Sequence, residues 1–388
     1  MDGHLSKDDV DFRDEARTWL RSHVPAEPRP VPATDARDYD LAWQRTLYQA
    51  GWAGIAWPEK DGGKGLSLLR QMLWYEENAR ARAPHVGVCF VGLNHGGPTL
   101  IAEGSDRQKQ EHLPLILRGE AVWCQGFSEP EAGSDLASLR TQAVLDGDHL
   151  VVTGQKVWTS YANVADFQEL LVRTDPVAAK HAGISWVICD MRSPGIEIRP
   201  ITTMAGDKNF CEVFYTDVRV PVSNIVGGLN QGWRVAAATL SFERGTAFVS
   251  QQIELAQIVE DLISYACDSP RTAGRGNLLD DEEIARELAA LRAEVTAMRA
   301  LTYLTVGRSE LRGPGPDGSM VRLFFTQLQQ RVFRAAMTLL GVHALTDVSL
   351  GSWPFYYLHS FSRTIAGGTQ EIQRNIIGER MLQLPRTR

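Results

Sequence analysis

No apolar run in the 388 residues reaches the roughly 20 that a membrane-spanning helix requires, so no membrane span is expected. Excess positive charge is missing as well. Lys and Arg number 40 against 47 Asp and Glu, a net charge of −7, which argues against a partner recognised through a phosphate backbone. The opening stretch, Met1–Leu20, lacks the basic start and apolar block of a secretory leader. It is acidic and carries Val10, Phe12, Ala16, Trp19 and Leu20 in a helical pattern, so no signal peptide is expected. Cysteine is sparse: the five (Cys89, Cys124, Cys189, Cys211, Cys267) are scattered and never stand in C-x-x-C spacing. They predict buried thiols in a reducing compartment, consistent with a cytoplasmic protein. None of the nine histidines sits in H-E-x-x-H or another metal-binding spacing, and no G-x-S-x-G turn occurs. Neither a metal site nor a hydrolase nucleophile is expected.

What is present is a large apolar fraction, 44%, enough for a substantial core in two or three domains. From residue 7 to about 118 the texture is helical, broken by a proline-spaced loop (Pro25, Pro28, Pro30, Pro32) and the turn Asp61-Gly62-Gly63-Lys64-Gly65. From about 121 to 225 short β-rich runs take over, among them Leu150–Thr153, Glu169–Arg173, Gly183–Cys189, Ile196–Ile201 and Glu212–Tyr215. No helical patterns intervene, which predicts an antiparallel barrel or sandwich. From about 230 helices return, with an amphipathic stripe over Phe248–Ile263 and further helices over Glu282–Leu311 and Ser319–Leu345. The linker Gly313-Pro314-Gly315-Pro316-Asp317-Gly318 matches G-x-G-x-x-G in form only, because it follows a helix and carries two prolines. The expected class is α+β multidomain: an N-terminal helical domain (1–120), a middle antiparallel β domain (121–228) and a C-terminal four-helix-bundle-like domain (229–388).

Four stretches carry candidate chemistry. Trp123-Cys124-Gln125-Gly126-Phe127-Ser128-Glu129-Pro130-Glu131-Ala132-Gly133-Ser134-Asp135 places hydroxyls on either side of a turn of small residues, where backbone amides can approach a ligand; it also reads as an ordinary β-turn. Gly154-Gln155-Lys156-Val157-Trp158-Thr159-Ser160 is a strand ending in an indole and two hydroxyls. Such a group can stack on a flat ring and bond its edge, although alone Trp158 is better read as a core residue. Leu240-Ser241-Phe242-Glu243-Arg244-Gly245 lies near the start of a long helix. Gly367-Gly368-Thr369-Gln370-Glu371-Ile372-Gln373-Arg374-Asn375-Ile376-Ile377 opens another helix after a glycine pair, a favourable place for an anion.

In this order, S-E-P-x-A-G-S-D, G-x-K-x-W-x-S and G-G-T-x-E-I-Q-R-N-I-I resemble the acyl-CoA dehydrogenase family over nearly the whole chain. Phe127 departs from the family's usual aliphatic residue. The resemblance implies the acyl-CoA dehydrogenase fold, FAD as cofactor and α,β-dehydrogenation of an acyl-CoA thioester. It implies that Ser128 and Ser160 bond the flavin ring and that Trp158 lies against it. Ser134 would lie near the CoA and FAD phosphates and Thr369 would contact FAD. Gln125, Phe127, Gly133, Thr159 and Glu371 fall within the same cofactor-binding stretches. The Gly367 amide would bond the thioester carbonyl, with Ser134, Phe242, Glu243 and Arg244 toward the substrate.

The base departs from the common pattern. Many members carry a glutamate where this chain has Gly367, which cannot take a proton. A minority, similar to isovaleryl-CoA and long-chain acyl-CoA dehydrogenases, place it on the long helix before an arginine, where this chain has Glu243 and Arg244. The resemblance therefore implies Glu243 as base and a bulky or branched acyl group. A solvated helix glutamate in a non-catalytic chain is the alternative. The family's R-x-x-F-G and Q-x-x-G-G adenine motifs are replaced by Pro270-Arg271-Thr272-Ala273-Gly274 and Thr338-Leu339-Leu340-Gly341-Val342. That resembles the catalytic subunit of α2β2 heterotetrameric bacterial enzymes acting on steroid-derived CoA thioesters, and implies a homologous second subunit. A homo-oligomer is the alternative. An electron-transferring flavoprotein would accept the electrons; a non-catalytic partner subunit and an acyl-CoA oxidase-like enzyme are the competing functions.

Overall fold

The computed structural model describes residues 5–242, 249–271, 276–312, 315–346, 348–349 and 351–385. In chain order the elements are α1 (Lys7–His23), α2 (Ala33–Gln49), α3 (Leu68–Arg80), α4 (Gly97–Glu103) and α5 (Asp106–Leu117). The strands β1 (Trp123–Gly126), β2 (Gln142–Asp146), β3 (His149–Ser160), β4 (Phe167–Arg173), β5 (Ile184–Asp190), β6 (Ile196–Ile201), β7 (Phe210–Pro221) and β8 (Ile225–Val226) follow. Then come α6 (Gly232–Phe242), α7 (Val249–Asp268), α8 (Glu282–Arg312), α9 (Asp317–Leu340), α10 (Trp353–Arg363) and α11 (Gln370–Ile376). They pack as two compact units. One joins α2, α4, α5 and α6 to the strands; the other joins α1 and α3 to α7–α11.

In the sheet unit the strand order is β6-β7-β3-β2-β4-β5-β8, with β1 beside β4. Most pairings are antiparallel, as the sequence suggested, while β1 and β2 both run parallel to β4. The reason is topological: β3 reverses the chain in a hairpin after β2, so β4, pairing beside β2 and β1, runs in their direction. That hairpin closes β2 on β3 through Gly147-Asp148, with Gly147 at φ 61, a backbone region that suits glycine.

Two bulges reset which face of a strand is buried. On β7, Cys211, Val213 and Tyr215 point inward, then an extra residue near Asp217 (φ 51) shifts the inward set to Val218 and Val220. On β3, Leu150, Val152 and Lys156 are inward, and the bulge after Lys156 makes Thr159 the next. The strands and flanking helices enclose Trp57, Leu100, Leu113, Ile116, Trp123, Trp186 and Val235. Burial of each large apolar side chain of this kind contributes about 1.5–3 kcal/mol.

In the helical unit, α1 starts on Ser6, whose hydroxyl accepts the Asp9 N–H at 3.2 Å, and buries Phe12, Ala16 and Leu20. The bundle core is built from Leu255, Val259, Leu262 and Ala266 of α7, Leu288, Leu291, Val295 and Met298 of α8, and Phe325, Leu328, Val332 and Leu339 of α9. In α7 the three- and four-residue spacing continues the stripe expected over Phe248–Ile263, with Val259 and Leu262 common to both. The helix predicted over Ser319–Leu345 ends early, at Leu340, because Gly341 adopts φ 54. Glu76 of α3 is buried and accepts Arg299 Nε and Nη2 of α8, both at 2.8 Å, and the Tyr303 hydroxyl at 2.8 Å. Four cysteines are buried as expected, but Cys267 is exposed because it sits on the solvent face at the end of α7. No described helix is long and apolar enough to cross a membrane, and no group of three metal-ligating side chains occurs among the described residues.

Candidate functional site

The end of β3 is where the sheet unit presents its most unusual side chain. Lys156 pairs with Val213 and Thr159 with Cys211, so three steps on β3 match two on β7. The extra residue is absorbed around Trp158, which takes φ 59 and leaves its indole 58% exposed, edge-on to Phe210 with ring centroids 6.1 Å apart. A left-handed tryptophan is strained by about 1–3 kcal/mol, and the exposed ring leaves apolar area in water. Thr159 turns inward, its hydroxyl buried with no partner among the described residues. Ser160 is half-buried at the strand's last pairing.

The first signature stretch is held against this strand. The Val157 N–H donates to the Ser128 carbonyl at 2.9 Å, and Glu129 and Ala132 exchange backbone hydrogen bonds at 2.9 and 3.1 Å around the turn. Lys156 is fully buried and donates to Glu129 Oε1 at 2.8 Å and to the Phe127 carbonyl at 3.1 Å. The Glu129 carboxylate also accepts the Arg140 and Thr141 N–H groups at 2.6 and 2.8 Å. Burial pushes the Lys156 ammonium down to about 8, against the opposing pull of Glu129. Burial alone would raise the Glu129 carboxyl, but Lys156 and the two N–H donors hold it below the ordinary range.

Phe127 is packed into the core, so its side chain presents nothing to a ligand. Gln125 is half-buried and donates to Glu169 Oε1 at 2.7 Å, with His95 Nδ1 at 3.2 Å from the same nitrogen; His95 and Glu169 are buried. Gly133 and Ser134 are exposed at the turn, and a side chain at 133 would meet open space.

In the helical unit, Gly367 (φ 65) and Gly368 (φ 98) lead into Thr369, whose hydroxyl accepts the Ile372 N–H at 3.3 Å. Thr369 is therefore the helix cap, and α11 has only seven residues. The expected anion site at this helix start gains no support, because so short a helix carries little dipole. Glu371 is exposed, and the buried Gln373 donates to the carbonyls of Gly367 and Gly368 at 3.0 and 3.3 Å. Phe242 ends α6 half-buried, and Glu243 and Arg244 lie outside the described residues.

The structure thus gathers Gln125, Phe127, Ser128, Trp158, Thr159 and Ser160 in the sheet unit, and Gly367, Thr369 and Glu371 in the helical one. The Lys156–Glu129 pair was not anticipated, although both residues stand in the quoted motifs; a buried lysine inside a strand pattern was the available signal. Arg322, which donates to the Ala366 carbonyl, had none.

Family models for the acyl-CoA dehydrogenase N-terminal, middle and C-terminal domains match residues 6–120, 124–218 and 230–382. Acyl-CoA dehydrogenase IpdE1 of Mycobacterium tuberculosis is 39% identical over 98% of this chain and 99% of its own. Acyl-CoA dehydrogenase FadE26 of the same organism is 36% identical over 97% of each. Among solved structures, the Tcur3481-Tcur3483 steroid ACAD superposes with a TM-score of 0.86 at 32% identity, and the ChsE4-ChsE5 complex from Mycobacterium tuberculosis with 0.84 at 34%. Each pairing covers 100% of both chains.

Proposed function

Because this chain belongs to the acyl-CoA dehydrogenase family, we propose that it binds FAD and converts a bulky or branched acyl-CoA to the 2-enoyl-CoA with Glu243 as the base. It is an acyl-CoA dehydrogenase, a flavin-dependent oxidoreductase; the cofactor's form, the acyl group and the residue roles are the proposed part. Trp158 carries the reading. A strained, exposed indole on a bulge fits a flat ring laid against it, which would cover the apolar area that water now meets.

FAD, when bound, would supply the acceptor for the hydride leaving Cβ. Ser128 and Ser160 would bond the ring's edge beside Trp158, with Gln125 adjoining and Phe127 and Thr159 backing these residues from the core. Gly133 and Ser134 would flank the phosphates, Ser134 also on the CoA side, and Thr369 and Glu371 would contact FAD from the start of α11. Phe242 and Arg244 would border the thioester. The Glu243 carboxylate would take the α-proton while the Gly367 N–H bonds the thioester oxygen as negative charge develops there.

A steroid-derived acyl group fits this reading, since a solved relative is described as a steroid ACAD. A homologous second subunit would complete the adenine half of the cofactor site, in line with the two-protein complex among the relatives. An electron-transferring flavoprotein would take the electrons, in the cytoplasm. The test is to purify the chain alone and co-expressed with a homologous subunit, measuring bound FAD and turnover of 3-cyclohexylpropanoyl-CoA and steroid side-chain CoA thioesters. Full FAD content and enoyl product only in the co-purified complex are expected. A stable homotetramer with equimolar FAD would overturn the partner reading, and oxygen consumption without an added acceptor would identify an oxidase.

A further inference from the structure

Three consecutive carbonyls at the start of the α11 segment are gripped by side chains. Arg322 of α9 donates to the Ala366 carbonyl through Nη2, and Gln373 of α11 donates to those of Gly367 and Gly368. A peptide unit is planar and trans, so the carbonyl of one residue and the N–H of the next point in opposite directions from one rigid plate. Gripping the Ala366 oxygen therefore aims the Gly367 N–H. That N–H has no acceptor among the described residues, and Gly367 is exposed.

Glycine alone does not hold such an aim. At φ 65 and 98 these two residues occupy backbone space that glycine leaves and enters freely, so an ungripped Gly367–Gly368 turn would sample several orientations. Gln373 is 2% exposed, and a side chain at 368 would meet its Nε2 at 2.8 Å, so the turn is built closely around this amide. A cationic donor on a carbonyl also polarises the peptide and strengthens its N–H as a donor at the other end.

We propose that Arg322 is a positioning residue for dehydrogenation: by bonding the Ala366 carbonyl it orients and polarises the Gly367 N–H toward the thioester oxygen, with Gln373 holding the next two peptides. This rests on the reading of the Gly367 amide as the donor to that oxygen. Arg322 touches neither substrate nor cofactor in this role. Its effect appears where charge builds on the oxygen, in proton removal, and not in ground-state binding.

The experiment uses the FAD-loaded enzyme, with its partner where the partner is required, and compares R322Q, R322K and Q373L. Two probes are used: 3-cyclohexylpropanoyl-CoA for turnover and (cyclohexylthio)acetyl-CoA, whose α-proton is acidic but whose 3-position cannot give up hydride. For R322Q, kcat falls about 10-fold, less than the hundredfold or more typical of deleting an oxyanion donor, with KM within about twofold. R322K recovers part of that loss. The long-wavelength absorption of the bound thia-ligand moves to higher pH in R322Q, because its deprotonated form is less well stabilised. Should R322Q fail to fold, R322K and Q373L are read in the same two ways. A folded variant set with unchanged kcat and an unshifted absorption profile overturns the proposal. Equal losses in KM and bound FAD overturn it too, since they mark a merely structural role. If E243Q remains as active as the unsubstituted enzyme, the site reading fails; if E243Q is inactive while the Arg322 variants are normal, only the positioning role fails.

Discussion

Glu243→Gln is expected to give an enzyme that retains FAD and acyl-CoA binding but turns over about a thousandfold more slowly. Glutamine keeps the size and hydrogen-bonding reach of the side chain and removes the atom that accepts the proton, and a positioned general base contributes about 10²–10⁴ in rate. Single-turnover flavin reduction by 3-cyclohexylpropanoyl-CoA checks this, since it reads proton removal and hydride loss without later steps. Unchanged reduction would make the chain a non-catalytic partner. The exchange E243G/G367E, which puts the carboxylate at the other family position, should not restore the full rate. Position 367 sits at φ 65, where a residue with a side chain is strained by about 1–3 kcal/mol.

Lys156→Ala should strongly destabilise the sheet unit and should release FAD as well. It leaves Glu129 only 8% exposed with no cation, and removing one member of a buried ion pair costs about 3–5 kcal/mol. The same ammonium joins the Phe127 carbonyl to the strand that carries Trp158, so both stretches proposed to hold the flavin would lose their common anchor. Urea unfolding followed by flavin release measures the two effects together. K156M/E129Q, with no charge left behind, should lose less than the single variant; an equal or larger loss would show that the ion pair is not the cause.

The pair also sets a pH signature. Glu129 titrates lower in the folded protein than in the unfolded chain, so its stabilisation is present above the ordinary carboxylate value of 4.5 and is lost as acid carries it through the lower folded value. Lys156, depressed to about 8 from 10.5, works the other way: stability from this group falls as pH drops from 10.5 to about 8 and is level below that. Urea midpoints measured across the acid limb should therefore fall more steeply for the unsubstituted protein than for E129Q. Identical slopes would remove Glu129 from the account.

Much of the proposed site is assigned along the chain because each half of it is local. Ser128 and Ser134 share one turn, Trp158 and Ser160 one strand end, and Gly367 and Thr369 one helix entry. What could not be read is the parity of β3. Strict alternation from Leu150 and Val152 would bury Trp158 and expose Thr159; the bulge after Lys156 reverses both, and nothing in the local residue types announces it.

By itself the sequence determined the order of helices, strands and helices, the amphipathic stripe of α7, and the motifs that mark the family, since these depend on periodicity and on neighbours in the chain. Only the tertiary structure decided that Lys156 meets Glu129 across 27 residues, that Arg322 reaches the Ala366 carbonyl across 44, and that α1 and α3 pack with the C-terminal helices. The physical reason is that a buried charge or an open carbonyl must find a partner once water is excluded, and packing, not sequence spacing, determines which partner lies within hydrogen-bonding reach.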